Sequence, residues 1–236
     1  NGRNNLKINK SFKANIYQIF YNPHSKSKLS NHFINYDNTI PQNPNEFEYG
    51  VMRSLYKSNS WVNSTHLGVV SWKFEEKTKA NPEILQKYLL ENQGYDVYII
   101  NPYVKNIFPL FNFKNVWEHG EHYHPGIKSI VKELFKIAEL DDEILNLEHS
   151  DSLICFCNYW VANRNFWDLY ISYTERIYEA VYRAPKEIKF KLFHYKADKY
   201  IQSGYFSFIF ERLFTTILTN FEKSFKVKNI KLDDIK

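Results

Sequence analysis

The chain has little glycine and almost no cysteine, with seven and two in 236 residues, and no apolar run near the length of a membrane-crossing helix. Seven glycines leave scant material for a phosphate-cradling glycine loop. Asn1 to Lys10 is polar and has no apolar core of the signal-peptide kind. Cys155 and Cys157 sit two apart in a segment that reads as a strand, so they point to opposite faces and do not suit a mutual bond. Reduced, buried thiols in a cytosolic protein are the expectation. A strict D-x-D, an HExxH and a Cys-bearing zinc pattern are all absent. No fixed-period repeat and no Pro/Gly/Ser linker divides the chain, so one domain spanning 1–236 is expected, with 1–13 and 222–236 as peripheral extensions.

Aromatic residues are plentiful: 19 Phe, 18 Tyr and 5 Trp make up 18%, within a chain that is 44% hydrophobic and 24% charged. That composition excludes disordered and collagen-like chains and supplies both a core and an aromatic-walled cleft. The net charge of +5 suits an anionic ligand. Basic residues do not interleave with aromatics densely enough for a nucleic-acid surface.

Ala14 to Tyr21 (ANIYQIFY) reads as a first strand ending at Asn22-Pro23, and Glu46 to Lys57 carries apolar residues at near-helical spacing. Leu67 to Trp72 (LGVVSW) is a second strand, followed by a basic turn. Asn81-Pro82 opens a helix that ends at Gly94, and Tyr95 to Asn101 is a third strand. The strand, helix, strand order marks a crossover unit of an α/β sheet. A loop rich in aromatics and His leads to a helix from Pro125-Gly126 to about Leu140, then a short acidic helix from Asp141 to Leu147. Ser152 to Val161 reads as a fourth strand. Asn165 to about Arg183 and Tyr205 to Phe221 read as long helices, the last apolar around its circumference except at Glu211 and Arg212.

Five constellations can carry chemistry. The loop from Trp117 to Gly126 gathers Glu118, His119, Glu121, His122 and His124 before a helix start. Two imidazoles and a carboxylate can hold a metal, imidazoles can hydrogen-bond a substrate, and a solvated loop is the plain alternative. Ser71, Lys73 and Lys77 follow a buried strand, where open α/β sheets bind ligands, and the lysines suit a diphosphate or simply solvent. Asp96, or Asp37 and Asn38 in the first long loop, can contact a sugar or ribose hydroxyl, with an Asx turn competing at Asp37. Asn158 inside an apolar strand needs partners, from backbone or from ligand, and Arg164 stands at a strand-to-helix turn. Glu211 and Arg212 point about 100° apart on one helix, so each needs its own partner, and Glu211 suits a carboxylate of raised pKa.

IYQIFYN with Tyr17, Tyr36-Asp37-Asn38, Glu48-Tyr49, HLGVVSWKFEEKT, GYDVYIINP, the E-x-x-x-HPG loop, CNYWVANRNFWDLY and FIFERLF cover most of 14–221. Together they resemble glycosyltransferase-like proteins of bacterial, and sometimes viral, surface-polysaccharide gene clusters for capsule and O-antigen. GVVSWKF stands where related capsular proteins carry G-x-x-H-Y-R-R. The resemblance implies a single-domain, Rossmann-like mixed sheet flanked by helices, of the GT-A type, moving a sugar from a nucleotide-sugar donor to a glycan acceptor, including lipid-linked ones. With the constellations above, the expected catalytic set is Glu211, Glu121, His122 and His124, and the expected binding set Tyr17, Asp37, Asn38, Ser71, Lys73, Lys77, Asp96, Asn158, Arg164 and Arg212. The cytoplasm, including the inner membrane face, is the expected location. A divalent Mn or Mg ion stays open as a cofactor; because D-x-D is missing, lysines or histidines are the alternative at the diphosphate. A non-catalytic glycan-binding module and a metal-dependent hydrolase built on Glu118 to His124 are the rival readings.

Overall fold

The computed structural model describes residues 11–103, 113–194 and 204–236. The strands are β1 (Ala14–Phe20), β2 (Ile34–Asp37), β3 (His66–Ser71), β4 (Val97–Ile99), β5 (Trp160–Asn163) and β6 (Val227–Asn229). The helices are α1 (Pro23–Lys26), α2 (Phe47–Lys57), α3 (Phe74–Thr78), α4 (Pro82–Glu91), α5 (Val116–Tyr123), α6 (Ile127–Ile137), α7 (Arg164–Arg183), α8 (Lys186–Phe193) and α9 (Tyr205–Asn220). The strands form one sheet in the order β2-β1-β3-β5-β4-β6. All run parallel except β5, which is antiparallel to both its neighbours.

Alternation along each strand divides the apolar side chains between two layers. Ile19, Leu67, Val69, Val97, Ile99, Trp160 and Ala162 face a thick layer built from α2, α5, α6, α7 and α9. Ile16, Val70, Tyr98 and Val161 face the other way, onto Phe74, Leu85 and Leu89 and the C-terminal residues Ile230, Leu232 and Ile235. The sheet is buried on both sides, and all six residues of β3 are buried, as a central parallel strand requires.

Asn81 caps α4 by accepting the N–H groups of Glu83 and Ile84, with Pro82 opening the first turn. Three expectations are corrected. The His-rich stretch is not a loop: Asn115 accepts the N–H groups of Trp117 and Glu118 and starts α5. Ser152 to Val161 is not a continuous strand, because Cys157 and Asn158 adopt φ of 62° and 54° and turn the chain before β5 begins at Trp160. The 222–236 segment is not peripheral, since β6 pairs with β4 and Ile235 is fully buried. The crossover from β3 to β4 is present and parallel, yet the two strands are not neighbours; β5, from much later in the chain, lies between them.

That insertion depends on Gly68. A Cβ there would stand 2.7 Å from Val161 Cγ2 and 2.8 Å from the Trp160 carbonyl oxygen. The carbonyl belongs to the neighbouring strand and cannot swing aside. Gly68→Ala is therefore expected to destabilise the fold by about 1–3 kcal/mol, the usual cost of overpacking. Urea unfolding should show a lower midpoint at unchanged slope; a midpoint equal to that of the unmodified chain would mean that β3 and β5 separate without penalty.

Candidate active site

The carboxyl ends of β1, β3 and β4 and the amino end of the antiparallel β5 lie along one edge of the sheet. Helix α3 follows β3 there and carries Lys77, whose Nζ lies 3.2 Å from Cys157 Sγ and 6.0 Å from the centre of the Tyr159 ring. The Tyr159 hydroxyl is 2.5 Å from Ser71 Oγ at the end of β3. Asn101, just past β4, accepts the N–H groups of Tyr103 and Phe156 at 3.3 and 3.4 Å, which ties the end of β4 to the turn before β5. On the side of that turn, Glu211 Oε2 accepts the Cys157 N–H at 3.2 Å. Gln18, fully buried in β1, donates to the Ser71 carbonyl at 3.4 Å and accepts the Ser30 N–H at 2.8 Å, which holds the loop after β1 against β3.

A second carboxylate enters from α2. Glu48 is half-buried, and its charge is felt by Tyr21, Lys77, Cys157, Tyr159 and Glu211. Burial raises the pKa of Glu48, with its own backbone N–H and Lys77 opposing. Burial likewise raises Glu211, against the pull of Arg212, Lys77 and the Cys157 amide, and Glu48 raises it further. Burial lowers the Lys77 ammonium, but Cys157, Tyr103 and Glu48 more than offset this and its pKa ends above the ordinary value. Tyr103 is pushed up to about 12, chiefly by burial. One cation therefore stands among two carboxyl groups of raised pKa, a thiol and phenols, at the edge where parallel sheets receive ligands.

The backbone around this cluster is strained. Phe47, just ahead of Glu48, has φ 47° and ψ −134°, and Cys157 and Asn158 are consecutive non-glycine residues at positive φ. Surrounding contacts enforce both conformations. Glu46 accepts the hydroxyls of Tyr178 and Tyr182 on α7 at 2.8 and 2.6 Å, and Tyr49 is buried with its ring 4.2 Å from that of Phe210. Phe47 and Glu48 are thus clamped from both sides. Asn158 is 7% exposed and its Oδ1 has no hydrogen-bond partner among the described residues.

Of the expected residues, Ser71, Lys77, Asn158 and Glu211 come together here. Tyr17 packs half-buried against the thick layer on the same side of β1 as Ile19. Lys73 lies with its Nζ 5.0 Å from the Trp72 ring centre. Asp37 closes an Asx turn by accepting the N–H and hydroxyl of Thr39 at 2.9 and 2.7 Å, and the N–H of Asn38 donates to the Phe20 carbonyl. Asp96 and Arg164 are at the opposite edge. Asp96 accepts from Asn163 and from the Lys226 N–H, both at 2.7 Å, and Arg164 pairs with Asp168 at 2.7 Å.

The histidine segment is mostly framework. Glu121 accepts the N–H groups of Gly126 and Lys128 at 2.8 and 3.0 Å and so anchors the start of α6. Glu118 pairs with Lys128. His124 stacks on Phe208 at 3.9 Å, and His122 is exposed on α5. His119 is buried behind Phe156, with its pKa lowered to about 3 by burial and by Arg212 and the neighbouring imidazoles. Arg212 does not meet a structural carboxylate; its donors go to the carbonyls of Val116 and Phe208 at 3.0 and 2.9 Å, and His119 Nδ1 is 3.4 Å away. Among the described residues no three His, Cys, Asp or Glu converge as metal ligands.

Sequence reading gave Glu48, Tyr21, Tyr103 and Cys157 no role in a site, although Glu48-Tyr49 stands among the resembling segments. Glu48 sits in a helical pattern that hides its exit toward the sheet edge, and the positive φ values carry no glycine to announce them.

No family model and no curated protein matches the chain. A solved structure, the apo form of the bifunctional glycosyltransferase WbbM, matches it with a TM-score of 0.54 at 13% identity, over 92% of this chain and 44% of that one. The likeness is one of fold: a mixed α/β domain with helices on both sides of a six-stranded sheet. The chain spans less than half the length of that neighbour. No helix among the described residues is long and apolar enough to cross a membrane.

Burial, the charge of Glu211 and the weaker opposing pull of Lys77 push the Cys157 thiol up to about 12, and burial raises Cys155 well above its ordinary value. A raised thiol pKa means less thiolate at any given pH. At pH 8 the native chain should therefore be alkylated by iodoacetamide at least about 100-fold more slowly than a free cysteine of pKa about 8.5. Both thiols should label once the chain is unfolded in guanidinium. Rapid native labelling at Cys157, which is half-buried, read by mass spectrometry, would contradict the raised pKa assigned to it.

Proposed function

We propose that this chain is a glycosyltransferase that binds the diphosphate of a nucleotide-sugar donor at Lys77 and passes the sugar to a glycan hydroxyl. The observation that carries this reading is the position of Lys77. It is a cation at the carboxyl edge of the parallel strands, near the ring of Tyr159, whose hydroxyl meets Ser71, and its charge acts on two carboxyl groups of raised pKa.

The chemistry follows from the charges. A diphosphate leaving group gains negative charge as its bond to the sugar breaks, and a preorganised ammonium in a partly desolvated cleft offsets that charge more strongly than water would. The two carboxylates repel the donor's phosphates, so they belong on the sugar and acceptor side of Lys77. There, a carboxylate of raised pKa is suited to proton transfer near neutral pH. Asn158, with an unpartnered buried amide oxygen, is placed to accept a hydroxyl of the donor. The fold of the solved neighbour supports this reading, and the resemblance in sequence supports a surface-polysaccharide glycan as acceptor.

Thermal shift against UDP- and GDP-sugars, with CMP-sugars as a control that carries one phosphate and no diphosphate, should identify a donor that raises the melting temperature, because a ligand bound only by the native state stabilises it. Lys77→Ala should weaken that donor by about 1.5–3 kcal/mol, the range for a lost charged hydrogen bond. Calorimetry measures the difference directly. Equal affinity in the two proteins would remove the diphosphate from this end of β3.

A further inference from the structure

We propose that Glu48 is the catalytic base of this site and that Glu211 is a positioning residue, which acts through the turn at Cys157 and Asn158. The inference rests on the glycosyl-transfer reading above and assigns the proton within it.

Four observations carry it. First, Glu48 is delivered by a strained residue: Phe47 sits at φ 47° and is held there by Glu46 on the Tyr178 and Tyr182 hydroxyls and by Tyr49 against Phe210. Strain that several contacts enforce places the next side chain with little freedom. Second, no side chain among the described residues hydrogen-bonds to the Glu48 carboxylate; its hydrogen bond is with its own backbone N–H, which ties it to no other element and leaves an oxygen able to take a proton. Third, Glu211 already spends Oε2 on the Cys157 N–H, a bond that stabilises two consecutive left-handed residues at the mouth of β5. Fourth, the other candidates are placed elsewhere: Glu121 anchors α6, His124 stacks on Phe208, His119 lies behind Phe156, and His122 is exposed on α5 beside Tyr123.

The groups facing Glu48 come from every element around it: Tyr21 after β1, Lys77 on α3, Cys157 and Tyr159 before β5, and Glu211 on α9. Lys77 favours its charged form, while Glu211 and burial favour the protonated one. In the step itself, the acceptor hydroxyl gives its proton to a Glu48 oxygen and its oxygen bonds to the anomeric carbon of the donor. The bond from that carbon to the diphosphate oxygen breaks, and the electron pair leaves on the diphosphate beside Lys77. After the products depart, Glu48 releases its proton to water.

The test uses the donor found by thermal shift, with water or a short glycan as acceptor and released nucleoside diphosphate as readout. Glu48→Gln should bind the donor with near wild-type affinity and lose turnover by a factor on the order of 100 or more. In the wild-type protein, turnover should fall as the pH drops through the raised pKa of Glu48. That acid limb should vanish in Glu48→Gln. It should persist in Glu211→Gln, whose defect should appear as a higher KM for donor. Glu48→Asp, which withdraws the carboxylate by one methylene, should keep the limb at a reduced rate, so a poorly folded Gln variant leaves a second readout. Turnover of Glu48→Gln within about threefold of wild type, or loss of the acid limb in Glu211→Gln alone, would overturn the assignment while leaving donor binding at Lys77 intact. A wild-type protein that binds none of the nucleotide-sugars would overturn the glycosyl-transfer reading itself.

Discussion

One hydrogen bond, from the Cys157 N–H to Glu211 Oε2, joins the most buried helix of the molecule to the point where the chain reverses into its antiparallel strand. Without a carboxylate at that amide, two successive non-glycine residues at positive φ would have little to hold them, since each such conformation costs on the order of 1 kcal/mol or more. The turn then sets where Trp160 begins β5, and β5 in turn occupies the gap between β3 and β4. The groups that β5 and its turn bring to the sheet edge are located by this chain of dependence. Tyr159 reaches Ser71 from the turn, and Lys77 reaches Cys157 from α3.

The edge is also where the molecule concentrates unfavourable local choices. Phe47, Cys157 and Asn158 are strained, among the described residues Asn158 Oδ1 and the Tyr21 hydroxyl are buried without hydrogen-bond partners, and Lys77 acts on two carboxyl groups of raised pKa. Several carboxylates elsewhere are satisfied. Glu175 takes a bidentate pair from Arg53 at 2.7 and 2.6 Å and a third bond from Lys57 at 3.0 Å, and it keeps a lowered pKa as a result, the bond from Arg53 being the main cause. Asp37, Asp96 and Glu121 likewise meet backbone N–H groups. Raised carboxyl pKa values at one sheet edge, beside paired carboxylates elsewhere, mark that edge as the candidate site.

Most of the architecture was legible in the sequence because period-two strands and capped helices are local signals. Ala14 to Tyr21, Leu67 to Trp72 and the Asn81-Pro82 start all reappear within a residue or two. What was not legible depends on residues distant in sequence. Helix α5 read as a loop because Gly120 and the imidazoles disfavour helix, yet a Cβ at 120 would stand 2.7 Å from Arg212 Nε, so the glycine answers to α9 and not to a turn. The place of β5 in the sheet was hidden because non-sequential strand order leaves no local trace. At the site, Lys77 and Glu211 were recoverable from a strand end and from a charge in an apolar helix. Glu48 was recoverable only once Phe47 was seen to bend.

Helix α9 presents apolar residues on nearly all sides, so its hydrophobic surface alone does not select one rotation about its axis. Glu211 and Arg212 supply the missing selection. About 100° apart, they mark one meridian that faces Lys77 and the Cys157 amide and another that faces the Val116 carbonyl. A turn of the helix by one residue in one sense would set guanidinium against ammonium, and in the other sense carboxylate against the carbonyl oxygen. The adjacent pair of opposite charges thus serves as an angular key, and it lets an otherwise greasy cylinder lock into the core in a single orientation.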